Sequence, residues 1–196
     1  MDLKTFIFIG RSGCGKGTQS ELLIEELKKR DPEREVLCVE TGERFRELLA
    51  RDTHTSKIAR QIMVAGKLQP AFLAIHNWSH FFIESITGKE YLVIDGTPRK
   101  LNEARILVEA LKFYERQGVA VLNIDVSREW SMARMVSRGR GDDDKLNAES
   151  RLNWFDSEVQ PALEFLRDEP SIKVLDINGE QIIEDVKKEI FNKIFV

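Results

Sequence analysis

The strongest chemical signal in the chain is Gly10-Arg11-Ser12-Gly13-Cys14-Gly15-Lys16-Gly17-Thr18, which follows directly on the apolar run Thr5–Ile9. Glycine reaches backbone angles closed to other residues, so successive N–H groups can turn inward around a phosphate. A helix beginning near Lys16 adds the positive end of its dipole, and Lys16 adds a point charge. Strand, Gly-x4-Gly-Lys spacing, lysine and helix together point to a nucleotide triphosphate site rather than a plain turn. Such loops usually carry a Ser or Thr directly after the lysine to ligate magnesium; here Gly17 intervenes and the hydroxyl belongs to Thr18. Asp95 closes the run Tyr91-Leu92-Val93-Ile94-Asp95 and fits the carboxylate that orients magnesium through water.

These groups need a frame that brings residues 10–18 and Asp95 together. Five mostly apolar, β-branched runs supply strands: Thr5–Ile9, Val36–Glu40, Tyr91–Asp95, Val119–Val126 and Ile172–Ile177. None alternates with polar residues, as expected of strands buried on both faces. Helical spacing lies between them, in Leu22, Leu23, Glu26 and Leu27, in Ile106, Leu107, Ala110, Leu111 and Tyr114, and in Ile182, Ile183, Val186, Ile190 and Ile194. Alternation of strand and helix predicts an α/β fold with a parallel sheet, whose ligands bind at the carboxyl ends of the strands. Residues 41–90 read as helical throughout, roughly Glu43–Arg51, Thr55–Gly66 and Pro70–Ile86. One crossover needs one helix, so an appended helical subdomain is expected here.

Composition bounds the rest. The chain has 196 residues, 42% hydrophobic and 32% charged, enough to bury a core without disulfides. Its 30 Lys and Arg against 33 Asp and Glu give a formal charge of −3, which argues against a broad nucleic-acid surface. Cys14 and Cys38 make neither a disulfide framework nor a four-sulfur zinc site. No membrane span and no signal peptide is legible, so a cytoplasmic location is the expectation.

Gly15-Lys16-Gly17-Thr18-Gln19 resembles the nucleoside monophosphate kinases, and the adenylate kinase family above all. Four further motifs in order carry the resemblance across nearly the whole chain. Glu40-Thr41-Gly42-Glu43-Arg44-Phe45-Arg46 is similar to the family's Thr-Gly-Asp-x-x-Arg, and Gly66-Lys67-Leu68-Gln69-Pro70 to its Gly-Lys-Leu segment. Asp95-Gly96-Thr97-Pro98-Arg99 is similar to Asp-Gly-Phe-Pro-Arg. Arg134, Arg138-Gly139-Arg140, Asp142, Asp143 and Arg151 resemble the lid and its flanking arginines.

The resemblance implies a P-loop kinase domain over 1–196, with a five-stranded parallel sheet flanked by helices. Residues 41–70 become a helical subdomain that binds the monophosphate, and 138–141 a minimal lid without the zinc-carrying insertion of long-lid relatives. It implies reversible, magnesium-dependent phosphoryl transfer from ATP to AMP by a monomer, with Lys16, Arg99, Arg138, Arg140 and Arg151 about the transferred group. ATP is expected at Gly13, Cys14, Gly15, Lys16, Gly17 and Thr18, with Arg134 on the donor base and Gln181 beside it. The monophosphate is expected at Thr41, Gly42, Arg46, Lys67, Leu68, Gln69, Gly96, Thr97, Pro98, Arg99 and Glu103. The resemblance further implies that Asp142 and Asp143 brace the lid arginines and that Thr18 and Asp95 face magnesium. No zinc, nucleic acid or membrane partner is implied. A kinase for GMP or for several monophosphates, and a nucleotide-binding regulator without transfer, are the alternatives.

Departures from the family pattern sharpen the reading. Four residues after Arg99 the family usually carries Gln, and this chain carries Glu103. An amide offers a donor and an acceptor to adenine, whereas an ionised carboxylate offers acceptors alone and suits guanine's ring N–H and amino group. Gln69 stands where Val is usual, Thr97 where Phe is, and Ser12 where Pro is, the last expected to loosen the loop. His76, His80 and Glu84 share a helix face but lack a fourth metal ligand. Trp78, Trp130 and Trp154 read as core residues. Cys14 sits where thiol reagents would block the phosphate site.

Overall fold

A computed structural model describes residues 4–139 and 145–195. Among them, β1 (Thr5–Gly10), β2 (Val36–Glu40), β3 (Tyr91–Asp95), β4 (Val119–Asp125) and β5 (Ile172–Asn178) form one all-parallel sheet in the order β2-β3-β1-β4-β5. The helices are α1 (Lys16–Arg30), α2 (Thr41–Ala50), α3 (His54–Val64), α4 (Ala71–Ser85), α5 (Leu101–Phe113), α6 (Arg128–Arg138), α7 (Lys145–Trp154), α8 (Gln160–Asp168) and α9 (Ile183–Ile194). A π-helical turn, Phe155–Val159, joins α7 to α8. This is the expected five-stranded parallel α/β sheet flanked by helices. Among the described residues no helix is long and apolar enough to cross a membrane.

Side chains alternate across the sheet and build two cores. Ile7, Ile94, Val121 and their neighbours pack against Trp78 and Phe82 of α4, Leu107 and Leu111 of α5, and Leu163 and Leu166 of α8. Phe6, Phe8, Val93 and Leu122 pack on the other face against Leu23 and Leu27 of α1 and Val186, Ile190 and Ile194 of α9. Burying each such side chain contributes about 1.5–3 kcal/mol. The central strands β1, β3 and β4 are buried on both faces, as their unbroken apolar runs predict. The edge strands β2 and β5 are only partly covered, because a flanking helix layer does not reach past the last strand. Of the C-terminal apolar series, Ile182, just ahead of α9, and Ile183, its first residue, remain exposed.

The first two inserted helices begin slightly earlier than their spacing suggests, at Thr41 and His54, and the third begins at Ala71, directly after Pro70. α2 follows β2 without a loop, and the Thr41 hydroxyl donates to the Asp95 carbonyl at 3.1 Å, pinning that junction to the end of β3. Leu49, Ala59 and Leu73 form a small cluster of their own with Phe45 and Leu48, while α4 belongs to the main core. At the opposite end of the sheet, Arg116 and Glu90 form a buried ion pair at 2.9 Å. Arg116 also donates to the Thr5 hydroxyl and to the Lys4 and Glu90 carbonyls, and Glu90 accepts from Thr87 and from the Gly88 and Lys89 N–H groups. The pair therefore sits in a dense network that ties β1 to β3.

Candidate active site

The chain leaves β1 toward one edge of the sheet and β3 toward the other, so a crevice opens beyond their carboxyl ends. A cleft of about 1070 Å³ occupies it. The loop after β1 makes its floor. Gly10 has φ 153°, and a Cβ there would stand 2.5 Å from the Ile124 carbonyl oxygen and 2.7 Å from Cys14 Sγ, so no larger residue fits. The Lys16 ammonium donates to the Gly10 and Arg11 carbonyls at 2.7 and 3.0 Å and lies 3.7 Å from Cys14 Sγ. It is a cation held inside the loop by backbone carbonyls.

This loop is tied down from two sides. The Ser131 hydroxyl of α6 donates to the Ser12 carbonyl at 2.5 Å. Arg11 donates to the Val126 carbonyl at 3.2 Å and to Asp156 at 2.6 Å, and lies over the Phe155 ring. Asp156, on the π-helical turn, also pairs with Arg128.

Gly13, Cys14, Gly15, Lys16, Gly17, Thr18, Arg134 and Gln181 all line the cleft, as do Gly42, Arg46, Lys67, Leu68, Gln69, Asp95, Gly96, Arg99, Glu103, Arg138 and Arg151. Thr41, Thr97 and Pro98 stand behind its wall, buried, with a cis peptide bond between Thr97 and Pro98. Arg140, Asp142 and Asp143 lie outside the described residues, as does part of the 138–141 segment.

The segment after β3 holds the cleft's main cation. The φ of Gly96 is 82°, and a Cβ would meet Thr41 Oγ1 at 2.8 Å and Arg99 Nη2 at 3.1 Å. That space lets the Arg99 side chain fold back, its Nε donating to the Gly96 carbonyl at 2.8 Å. Removal from water pulls the Arg99 guanidinium below its usual range; Glu103 and Asp95 oppose that, and the like charge of Arg151 adds to it. Arg99 and Arg151 bring two guanidiniums to one cleft, and planar cations of this kind suit an anion. Trp154 closes this side, with the Arg99 guanidinium 5.7 Å from its ring centre.

Asp95 is buried, and loss of hydration raises its carboxyl while Lys16 and Arg99 draw it back. Its Oδ2 lies 3.8 Å from where a Cβ on Gly17 would stand, so the carboxylate faces the start of α1 beside Thr18. Oxygen donors of this kind suit a hard cation such as magnesium, held partly through water. Among the described residues no three His, Cys, Asp or Glu side chains cluster as a metal centre. His76 and His80 stack at 5.8 Å on the outside of α4.

All three tryptophans pack on the core as expected, Trp78 buried within it and Trp130 and Trp154 half-buried against it. Trp130 and Trp154 also line the cleft, Trp130 beneath the Arg134 guanidinium at 5.0 Å, a second role that helical periodicity does not reveal. Glu40 was missed as a site residue. It pairs in register with Asp95 and lines the cleft, and burial and the Asp95 charge raise its carboxyl. Its place at the carboxyl end of a strand was the signal.

A family model described as Adenylate kinase matches residues 8–170. The chain is 31% identical over 182 residues to an adenylate kinase of Corynebacterium urealyticum, covering 93% of this chain and 94% of that one. It is 32% identical over 184 residues to adenylate kinase 1 of a Nostoc species, covering 94% and 95%. With an adenylate kinase of Oenococcus oeni it shares 28% identity over 192 residues, covering 96% and 98%.

Proposed function

The chain belongs to the adenylate kinase family and is a phosphotransferase; from that premise we propose that it transfers the γ-phosphoryl group of ATP reversibly to a nucleoside monophosphate, AMP foremost, giving two diphosphates. The observation that carries this reading is the convergence of Lys16, Arg99 and Arg151 on one cleft between the phosphate loop and the inserted helices. Two anionic nucleotides repel strongly unless cations lie between them, and a transferring phosphoryl group spreads charge over its equatorial oxygens. The acceptor phosphate is already a nucleophile, so positioning and charge stabilisation suffice, without a general base.

In this account the loop N–H groups and Lys16 hold the donor phosphates, Lys16 exchanging its carbonyl partners for phosphate oxygens. Arg99 and Arg46 grip the acceptor phosphate, and Arg138, Arg140 and Arg151 close over the transferred group. Arg134 and Gln181 flank the donor base. Thr18 and Asp95 would hold magnesium, which when bound neutralises part of the triphosphate charge. Residues 41–70 form the acceptor-binding subdomain and 138–141 the lid. The two sides already approach each other at Gly66, where a Cβ would lie 2.9 Å from Asn147 Oδ1 of α7. Closure there excludes water, which would otherwise take the phosphoryl group.

A coupled assay supplying ATP with each common nucleoside monophosphate tests the proposal. Turnover with one or more acceptors is expected, and none with any of them would contradict it.

A further inference from the structure

The acceptor half of the cleft has an unusual set of polar groups. Gln69 lies in its wall, and its Nε2 donates to the Ala59 carbonyl at 2.9 Å. That bond fixes which end of the amide is oxygen. Gln69 Oε1 is buried and has no hydrogen-bond partner. An acceptor in that position costs about 1–3 kcal/mol unless a donor reaches it.

Glu103 is the second member. It stands in the first turn of α5, 2% exposed, and lines the same cleft. Its Oε2 accepts from the Arg99 backbone N–H at 2.8 Å and from the Thr97 hydroxyl at 3.3 Å. Those two bonds hold the turn that carries Arg99, and both engage Oε2. Burial raises the carboxyl, while the Arg99 N–H and guanidinium, Thr97 and Lys100 act against that rise. As a carboxylate it has acceptors only. Phe45, Leu49 and Met63 supply apolar surface in the same cleft for a flat ring.

Resting on the kinase reading above, we infer that Glu103 Oε1 and Gln69 Oε1 together read the acceptor base, and that this acceptor-only pair admits guanosine monophosphate alongside adenosine monophosphate. Guanine offers adjacent ring N–H and amino donors, one for each oxygen. Adenine offers its amino group to the same oxygens but turns a ring-nitrogen acceptor toward them, which has no donor to meet. Uracil offers a single N–H between two carbonyls and fits worst. Glu103 is thus a specificity-determining residue with one oxygen for the base and one for the Arg99 turn.

The test is the ratio of kcat/KM for GMP to that for AMP, in the wild type and in Glu103→Gln and Gln69→Val. In Glu103→Gln the amide oxygen can still accept from the Arg99 backbone N–H and the Thr97 hydroxyl, while the free end changes from acceptor to donor. The GMP:AMP ratio is expected to fall at least about tenfold, chiefly through a higher KM for GMP, as expected for a site that mismatches a polar group. Gln69→Val should lower the ratio in the same direction with the Arg99 turn untouched. An unchanged or increased ratio in both variants overturns the inference while leaving the kinase reading intact. A wild-type enzyme that phosphorylates no monophosphate overturns both, so the two failures are distinguishable.

Discussion

At the scale of single residues, the account rests on cations held in place before any ligand arrives. Arg99 is fixed by its own Nε bond to Gly96, and Glu103 holds the backbone from which it projects. On the proposed reading, Arg99→Ala deprives the acceptor phosphate of its fork and leaves the phosphate loop undisturbed. We expect kcat/KM for transfer to fall by about 10²–10³, the range seen when one charge-stabilising donor is removed. ATP affinity, read by titration calorimetry, should change by less than about threefold; a comparable loss of both would place Arg99 on the donor side instead. Much at this scale was legible. The phosphate loop announces itself because its spacing is local, nine consecutive residues that fold as a unit. The double engagement of Glu103 was legible in principle too, since a carboxylate in a first helical turn commonly reaches back to a preceding N–H. What spacing does not reveal is that one oxygen alone is consumed.

At the scale of elements, the β1–β3 tie through Arg116 and Glu90 is the feature whose removal should cost most. Truncating one partner of a buried pair leaves the other charge stranded, so Arg116→Ala should lose about 3–5 kcal/mol, read from urea unfolding. Glu90 also carries a pH signature. Burial alone would raise its carboxyl, but the Thr87 hydrogen bonds and the Arg116 charge outweigh it and leave the folded-state value below the ordinary one. A group lowered in this way stabilises the fold above its unfolded value, near 4.5, and loses that contribution as pH falls through the folded value. Glu90→Gln should therefore be less stable at neutral pH and show a shallower loss of stability below about pH 5 than wild type. A parallel pH profile in the two proteins would contradict the assignment. No sequence pattern signals this network, because its members lie 26 residues apart and meet only through the sheet. The strands themselves were readable from their apolar runs. The cleft-lining role of Trp130 on α6 and Trp154 on α7 was not, since period alone shows that a side chain packs on the core and not that it also borders a cleft.

At the scale of the whole molecule, a chain of net charge −3 gathers lysine and arginine around one cleft. The average hides the local field, and the local field is what two polyanions meet. Raising salt from about 0.05 to about 0.5 M shortens the screening length from above 10 Å to below 8 Å. KM for both nucleotides should then rise several-fold while the unfolding midpoint moves little, because the two cores are apolar. A midpoint that falls in step with activity would mean that salt acts on the fold instead.

The central claim is that the cleft passes a phosphoryl group between nucleotides and keeps it from water. Phosphorus NMR of the enzyme with magnesium, ATP and AMP follows every phosphate at once. The account predicts that the ATP γ signal is lost as ADP grows to two equivalents per ATP consumed, with no inorganic phosphate ahead of equilibrium. Inorganic phosphate appearing one for one with ATP lost, with AMP unchanged, would contradict it and make the protein a hydrolase.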